Sequence, residues 1–174
     1  MRRRPITYTI TCERHPDARE RICRSVLEAL PDWFGIPKAI DQFCRDARDL
    51  RMWVARTKDK TGNDEVVGLV TLLQHFPVTA ELHLIAIRAQ YHRKGLGHKL
   101  LTAAETHLKQ TETRILTVKT LAPSASDRCY ARTHRFYAAQ GFVPLEVFPT
   151  LWDEENPCLL MAKLLRVAEL LHVR

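Results

Sequence analysis

Thr79 to Leu101, TAELHLIAIRAQYHRKGLGHKLL, holds the strand, turn and helix around which the rest of the chain is arranged. Ala80 to Ile87 lack turn residues and are rich in branched apolar side chains, the composition of a largely buried strand. From Leu96 the apolar residues recur as Leu96, Leu100, Leu101, Ala104 and Leu108, one face of a helix that runs to about Lys109. Gly95 and Gly97 sit at its mouth, among Arg93, Lys94, His98 and Lys99. The first amides of a helix have no internal partner and carry the positive end of its macrodipole, so a glycine-opened, basic N-terminus suits a phosphate. An ordinary turn with a solvated basic rim has the same letters, and the flanking sequence has to separate the two.

Working outward, Pro77 breaks the chain before this strand, and Val66 to Gln74 and Met52 to Arg56 read as two more strands. KDKTGNDE joins them, with Gly62, Asn63 and Asp64 as turn residues, so three successive antiparallel strands are expected. Ile6, Tyr8, Ile10 and Cys12 alternate with threonines, the period of a first, half-buried strand. Asp17 to Glu20, D-A-R-E, has the form of an N-cap and N3 pair. It opens a helix with Ile22, Cys23, Val26, Leu27 and Leu30 on one face, stopped by Pro31. A second helix carries Ile40, Phe43, Cys44 and Ala47. On the other side, Ile115 to Lys119 is a short strand, LAPSASDRCYA a long loop, and Arg132 to Gln140 a helix ended by Gly141. Phe142 to Phe148 and Cys158 to Leu164 complete the set, the first with a proline, Pro144, that demands a bulge or a sheet edge. The tail LLRVAELLHVR is amphipathic and suited to docking on the body or on a second subunit. The pattern predicts a single α/β domain over residues 1–174, with a mixed, mostly antiparallel, centrally splayed sheet of about seven strands flanked by about four helices.

Composition narrows the function. With 45% hydrophobic and 27% charged residues in 174, the chain can bury a real core. No apolar run approaches the roughly 20 residues of a membrane span, and MRRRPITYT has no hydrophobic leader, so a cytoplasmic protein is expected. The formal charge of +7 would admit nucleic acid. Outside Arg2 to Arg4, however, basic residues are interleaved with acidic ones rather than gathered in a stripe. Five scattered cysteines without a C-x-x-C, and eight histidines without an H-E-x-x-H, predict reduced thiols and no metal.

HRKGLG, from His92 to Gly97, resembles the acetyl-CoA-binding motif of the GNAT superfamily of N-acetyltransferases, Q/R-x-x-G-x-G/A after a strand, with His92 in the Gln/Arg place. AELHLIAI resembles the AEI-x-F-x-AI strand of its histone-acetylating branch, and RFYAAQGF, Arg135 to Phe142, resembles its FY-x-x-x-GF signature. The resemblance implies acetyl-CoA as co-substrate and direct transfer of acetyl to an amine. It places cofactor contacts on the amides of Ile85, Ala86 and Ile87 and on His92, Arg93, Lys94, Gly95, Leu96, Gly97 and His98. Glu81 falls on the position of a catalytic glutamate. Tyr137 matches the tyrosine that protonates the departing sulfur. Tyr130 occupies a place where many members have an asparagine, and is the reserve acid. The loop between the first two helices usually walls the acceptor site, so Trp33 and Phe34 either touch substrate or pack in the core.

A lysine-like amine has a pKa of about 10.4, so presenting it neutral at pH 7 costs roughly 4.6 kcal/mol, against roughly 2 kcal/mol for a thiolate leaving group at about 8.5. The base has more to do than the acid. Burial is expected to raise Glu81 toward the working range, with His83, two residues along the same face, as an alternative base or a structural histidine. A small-molecule amine is the first acceptor expected, because the chain carries no extra peptide-recognition domain. A protein lysine or N-terminus is the second, and a fold that binds coenzyme A without turnover the third. A homodimer is compatible with each.

Overall fold

The computed structural model describes residues 6–59, 61–125 and 127–165. Its strands are β1 (Thr9–Glu13), β2 (Arg51–Lys58), β3 (Asp64–Phe76), β4 (Thr79–Ile87), β5 (Ile115–Leu121), β6 (Val143–Phe148) and β7 (Cys158–Leu164). Its helices are α1 (Pro16–Leu27), α2 (Pro37–Ala47), α3 (Leu96–Lys109) and α4 (Arg128–Ala139). The seven strands form one mixed sheet in the order β1-β2-β3-β4-β5-β7-β6. Strands β4 and β5 pair in parallel, Thr79–Leu82 against Ile115–Val118, only four of the nine residues of β4. The β1/β2, β2/β3, β5/β7 and β6/β7 pairs are antiparallel. Among the described residues no helix is long and apolar enough to cross a membrane.

The chain divides into two compact units, one holding the residues up to Leu72 with Leu84–Ala104, the other Leu73–His83 with the residues from Glu105 on. In the first, Cys23, Val26 and Leu27 of α1 and Ile40, Cys44 and Ala47 of α2 pack with Met52, Val54, Leu69, Leu84 and Ala86 of the strands. Each fully buried large apolar side chain there contributes on the order of 1.5–3 kcal/mol. Gly68 of β3 is required by close backbone approach: a Cβ there would stand 2.9 Å from the Ala86 carbonyl oxygen and 3.0 Å from Ile87 Cγ1.

Three local expectations fail in this unit. Strand β1 starts at Thr9 rather than Ile6. Helix α1 is capped at His15 without a side-chain bond, because Pro16 sets the first turn. The carboxylates of the D-A-R-E segment hold Arg48 instead, at 2.8 Å from Asp17 and 2.6 Å from Glu20. That helix also ends at Leu27, well short of Pro31, and the chain turns on through a Leu30 amide to Leu27 carbonyl bond of 2.9 Å.

In the second unit, α4 begins at Arg128, four residues before the expected start at Arg132. The Asp127 carboxylate caps it, accepting from the amides of Cys129 at 2.7 Å and Tyr130 at 2.9 Å. Tyr130 is therefore helical and not part of a loop. Gly141, with φ +88°, closes the helix as expected. Strand β6 lies at the sheet edge and its register shifts between Pro144 and Glu146, both the consequences a strand proline predicts. The Arg2 to Arg4 run and the tail from residue 166 lie outside the described residues.

Candidate active site

In the second unit a buried carboxylate gathers cationic and ionisable groups from three strands. Glu81 sits opposite Thr117 in the parallel register, so Lys119, two residues along β5, lies on the same face. Glu81 is 5% exposed. Its Oε2 accepts from Lys119 Nζ at 2.6 Å and from His75 Nε2, near the end of β3, at 2.8 Å. His83 Nδ1 stands 4.0 Å from Oε1. Burial pushes the carboxyl up, but the hydrogen bonds from Lys119 and His75 and the nearby charges outweigh it, leaving Glu81 below the ordinary glutamate range. The expected upward shift is thus reversed, because burial came with two donors in place. A lone lysine inside the apolar strand ILTVKTL was the sequence signal for this partner, since a cation seldom enters such a strand unpaired. His75 carried no comparable signal.

Tyr137, on α4, is 5% exposed and packs against Phe136 and Phe142, with ring centroids 5.5 and 5.6 Å away. Burial and the neighbouring Tyr130 raise its phenol well above the ordinary value. Tyr130 stands seven residues, two turns, before it on the same helix face, and burial raises its phenol too. Tyr130 and His134 line a hollow of about 210 Å³ with Ala122, Pro123, Asp127, Arg128 and Ala131.

The glycine turn belongs to the first unit. After a single 3-10 turn at Ala89–Tyr91 the chain passes through His92, then enters the left-handed region at Arg93 (φ 56°) and Gly95 (φ 76°). The first helical bond of α3 is the Lys99 amide to the Gly95 carbonyl, 3.2 Å, so the amides of Leu96, Gly97 and His98 precede it. A Cβ on Gly95 would meet nothing within 4 Å, which leaves the outer side of the turn open. His92 Nε2 lies 2.6 Å from the Ile87 carbonyl oxygen and its ring is edge-on to Trp33 at 5.2 Å, so this side chain ties the end of β4 to the turn. Lys94 Nζ donates to the Gln90 carbonyl at 2.6 Å, while Arg93 and His98 are exposed. Trp33 and Phe34 are half-buried against the first unit's core, Phe34 edge-on to Phe43 at 5.9 Å.

A mixed seven-stranded sheet with a glycine turn between its β4 strand and the helix that follows is the architecture of an α/β domain of the class expected from the sequence. The family model of the acetyltransferase (GNAT) domain matches residues 48–144, more than half of the chain, and the chain belongs to that family. The fold is shared with a protein assigned to the GNAT family from Desulfovibrio desulfuricans, at TM-score 0.75, 20% identity, and coverage of 92% of this chain and 100% of the other. It is shared also with the ribosomal-protein-S18-alanine N-acetyltransferase of Escherichia coli, at TM-score 0.69, 16% identity and coverage of 97% and 100%. A third is an aminoglycoside 6'-N-acetyltransferase complexed with coenzyme A, at TM-score 0.67, 14% identity and coverage of 91% and 97%. No curated protein sequence matches the chain.

Proposed function

We propose that the protein is an acetyl-CoA-dependent N-acetyltransferase that transfers acetyl directly to the primary amine of a small molecule. The observation that carries this reading is the glycine turn: Gly95 lies in the left-handed region with the first amides of α3 behind it, an arrangement suited to the phosphates of coenzyme A. The coenzyme A held by the aminoglycoside acetyltransferase of the same fold supports it. Arg93 and His98 lie on the exposed rim of that turn, and the amides of Ile85, Ala86 and Ile87 are assigned to the pantetheine arm and to the acyl oxygen as charge develops on it.

The Glu81 cluster is assigned to the amine's proton, the larger demand at roughly 4.6 kcal/mol for a lysine-like amine at pH 7. Tyr137 is assigned to the departing thiolate. Its raised phenol holds the proton firmly, so its part is a hydrogen bond to sulfur more than a complete transfer. Trp33 and Phe34 are assigned to the acceptor wall. The five free cysteines fit a reducing, cytoplasmic setting. The likeness of AELHLIAI to a histone-acetylating strand favours a protein lysine or N-terminal amine as the second reading.

Calorimetric titration with acetyl-CoA, compared with desulfo-CoA and a free nucleotide, tests the first half. Saturable binding that depends on the pantetheine arm is expected. A thiol-release screen of small amines and peptides then tests the second. Binding without release from any amine would move the protein to the non-catalytic class, and no binding by folded protein would remove the cofactor assignment.

A further inference from the structure

Resting on the acetyltransferase reading, we propose that His75, held by Glu81, takes the proton from the acceptor amine, and that Glu81 acts as its positioning residue rather than as the base. The geometry makes Glu81 a poor proton acceptor. Its side chain is 7% exposed, and Oε2 already takes Lys119 Nζ and His75 Nε2 at 2.6 and 2.8 Å. A proton on that carboxylate would remove the charge that strengthens both contacts and leave the Lys119 ammonium without a neutralising anion. His75, in contrast, is 37% exposed on its side chain and lies near the end of β3, two residues before Pro77.

Chemistry fixes which nitrogen faces the amine. An ionised carboxylate only accepts, so the Nε2 that lies 2.8 Å from Glu81 Oε2 carries the ring proton. In the neutral ring the lone pair is then on Nδ1. This is a carboxylate–imidazole pair with a free basic edge, in which Lys119 keeps the carboxylate ionised. The other titratable groups of the cluster are His83, 4.0 Å from Oε1, and the buried Cys158 of β7, which feels both Lys119 and Glu81.

In the step itself, the ammonium gives one proton to His75 Nδ1, and the freed nitrogen pair attacks the acetyl carbonyl carbon. The C–N bond forms and the carbonyl pair moves to oxygen. As the oxyanion collapses the C–S bond breaks, sulfur leaves with its pair, and the second nitrogen-bound proton ends on the thiol. His75 returns the first proton to water. The balance is ammonium plus thioester to amide, thiol and one proton, with no oxidant or further reactant.

The full chain, labelled with ¹⁵N, is first examined near neutral pH by long-range proton–nitrogen correlation. His75 protonated on Nε2 is expected, and a ring protonated on Nδ1 overturns the proposal. In thiol-release assays at saturating acetyl-CoA, His75→Gln is expected to lower kcat/KM for a lysine-like amine by about 10²- to 10⁴-fold, with unchanged acetyl-CoA affinity and a pH profile that rises only with the acceptor amine's own ionisation. The deficit should shrink for acceptor amines of low pKa, which arrive neutral, a trend that a merely structural histidine would not produce. A His75→Gln enzyme that keeps the wild-type rate and profile sinks this inference while leaving the acetyltransferase reading intact. Failure of the wild type to bind acetyl-CoA or to release thiol removes the reading, and this inference with it.

Discussion

Lys119 Nζ and Glu81 Oε2 lie 2.6 Å apart, bridging two parallel neighbours in the sheet, with the carboxylate buried and the lysine side chain one-third exposed. The lysine is thus the wet end of a bond whose other end is dry. Removing it leaves a buried carboxylate with His75 at 2.8 Å and the more distant His83 at 4.0 Å. Lys119→Met is expected to destabilise the protein by about 1.5–2 kcal/mol, the lower end of the range for a hydrogen bond to a charged group, because the lysine is partly solvated. The midpoint of urea unfolding checks this. Adding Glu81→Gln to that variant should recover part of the loss, and strictly additive effects would show that the two residues are not coupled.

The same cluster sets a pH dependence. Glu81 is held below its ordinary value of 4.5, so the folded state binds the carboxylate form more favourably than the unfolded state does. The stability this lends is whole above about pH 4.5 and is lost as pH falls through the depressed folded value. Glu13, held down by backbone amides at the start of α1, adds to acid sensitivity with the same sign. Comparing unfolding free energies of wild type and Glu81→Gln from pH 7 downward isolates Glu81: the wild-type advantage should be flat above pH 4.5 and shrink below it. An advantage that grows on acidification would mean that the carboxyl is raised, not lowered.

Gly68→Ala is expected to cost about 1–3 kcal/mol and to weaken acetyl-CoA binding together with stability. The new methyl would stand 2.9 Å from the Ala86 carbonyl oxygen, 3.0 Å from Ile87 Cγ1 and 3.3 Å from Leu100 Cδ1. The nearest atom is backbone and has no rotamer to escape by, so the β4 segment assigned to the acyl oxygen must shift. Thermal unfolding and calorimetry on one preparation read both effects. A loss of stability with unchanged affinity would detach Ala86 from the cofactor.

The glycines at the turn separate conformation from contact. Gly95→Ala adds no clash, but φ 76° costs a side-chain-bearing residue roughly 1–2 kcal/mol. It should therefore lower stability and cofactor affinity together. Gly97 is half-buried in the first turn of α3, where Gly97→Val would add bulk beside the amides proposed to bind phosphate. A large rise in the acetyl-CoA dissociation constant with little change in melting temperature is expected. Unchanged binding in Gly97→Val would remove the phosphate assignment.

Most of the fold was legible because its signals are local. The Leu96, Leu100, Leu101, Ala104 and Leu108 stripe marks α3 to the residue, all five being buried, and Pro144 announces a bulged edge strand. The errors fall where a side chain chose between two partners. Asp17 and Glu20 look like a capping pair but hold Arg48 across to the end of α2, and Asp127 caps α4 from inside what reads as a loop. The conformation of the glycine turn was legible, Gly95 taking the left-handed backbone that its residue type suits. The Glu81 cluster was less so, because it rests on pairing between strands: nothing in the sequence near His75 says that Glu81 is its neighbour, and hence nothing says that this donor, together with Lys119, would outweigh burial and hold that carboxyl's pKa down.

Tyr137 gives the last test, because its environment fixes how its role varies with pH. Its phenol is raised above the ordinary value of 10.0 by burial and by Tyr130, so the neutral, donating form is complete at every pH below about 10. The stability that the neutral buried phenol contributes is likewise whole below that value and lost as pH rises through the folded one. Removing the hydroxyl in Tyr137→Phe leaves the packing on Phe136 and Phe142 in place, and so should leave acetyl-CoA affinity and melting temperature nearly unchanged. The chemical step should slow by roughly 10-fold, the size of one hydrogen bond of about 1.4 kcal/mol to the departing sulfur. Single-turnover rates of the two proteins from pH 6 to about 10 provide the measurement. A constant ratio across that range is expected. A ratio that collapses toward one between pH 8 and about 9.5 would show a phenol ionising early, and the thiolate would then need another donor, for which Tyr130 on the same helix face is the candidate.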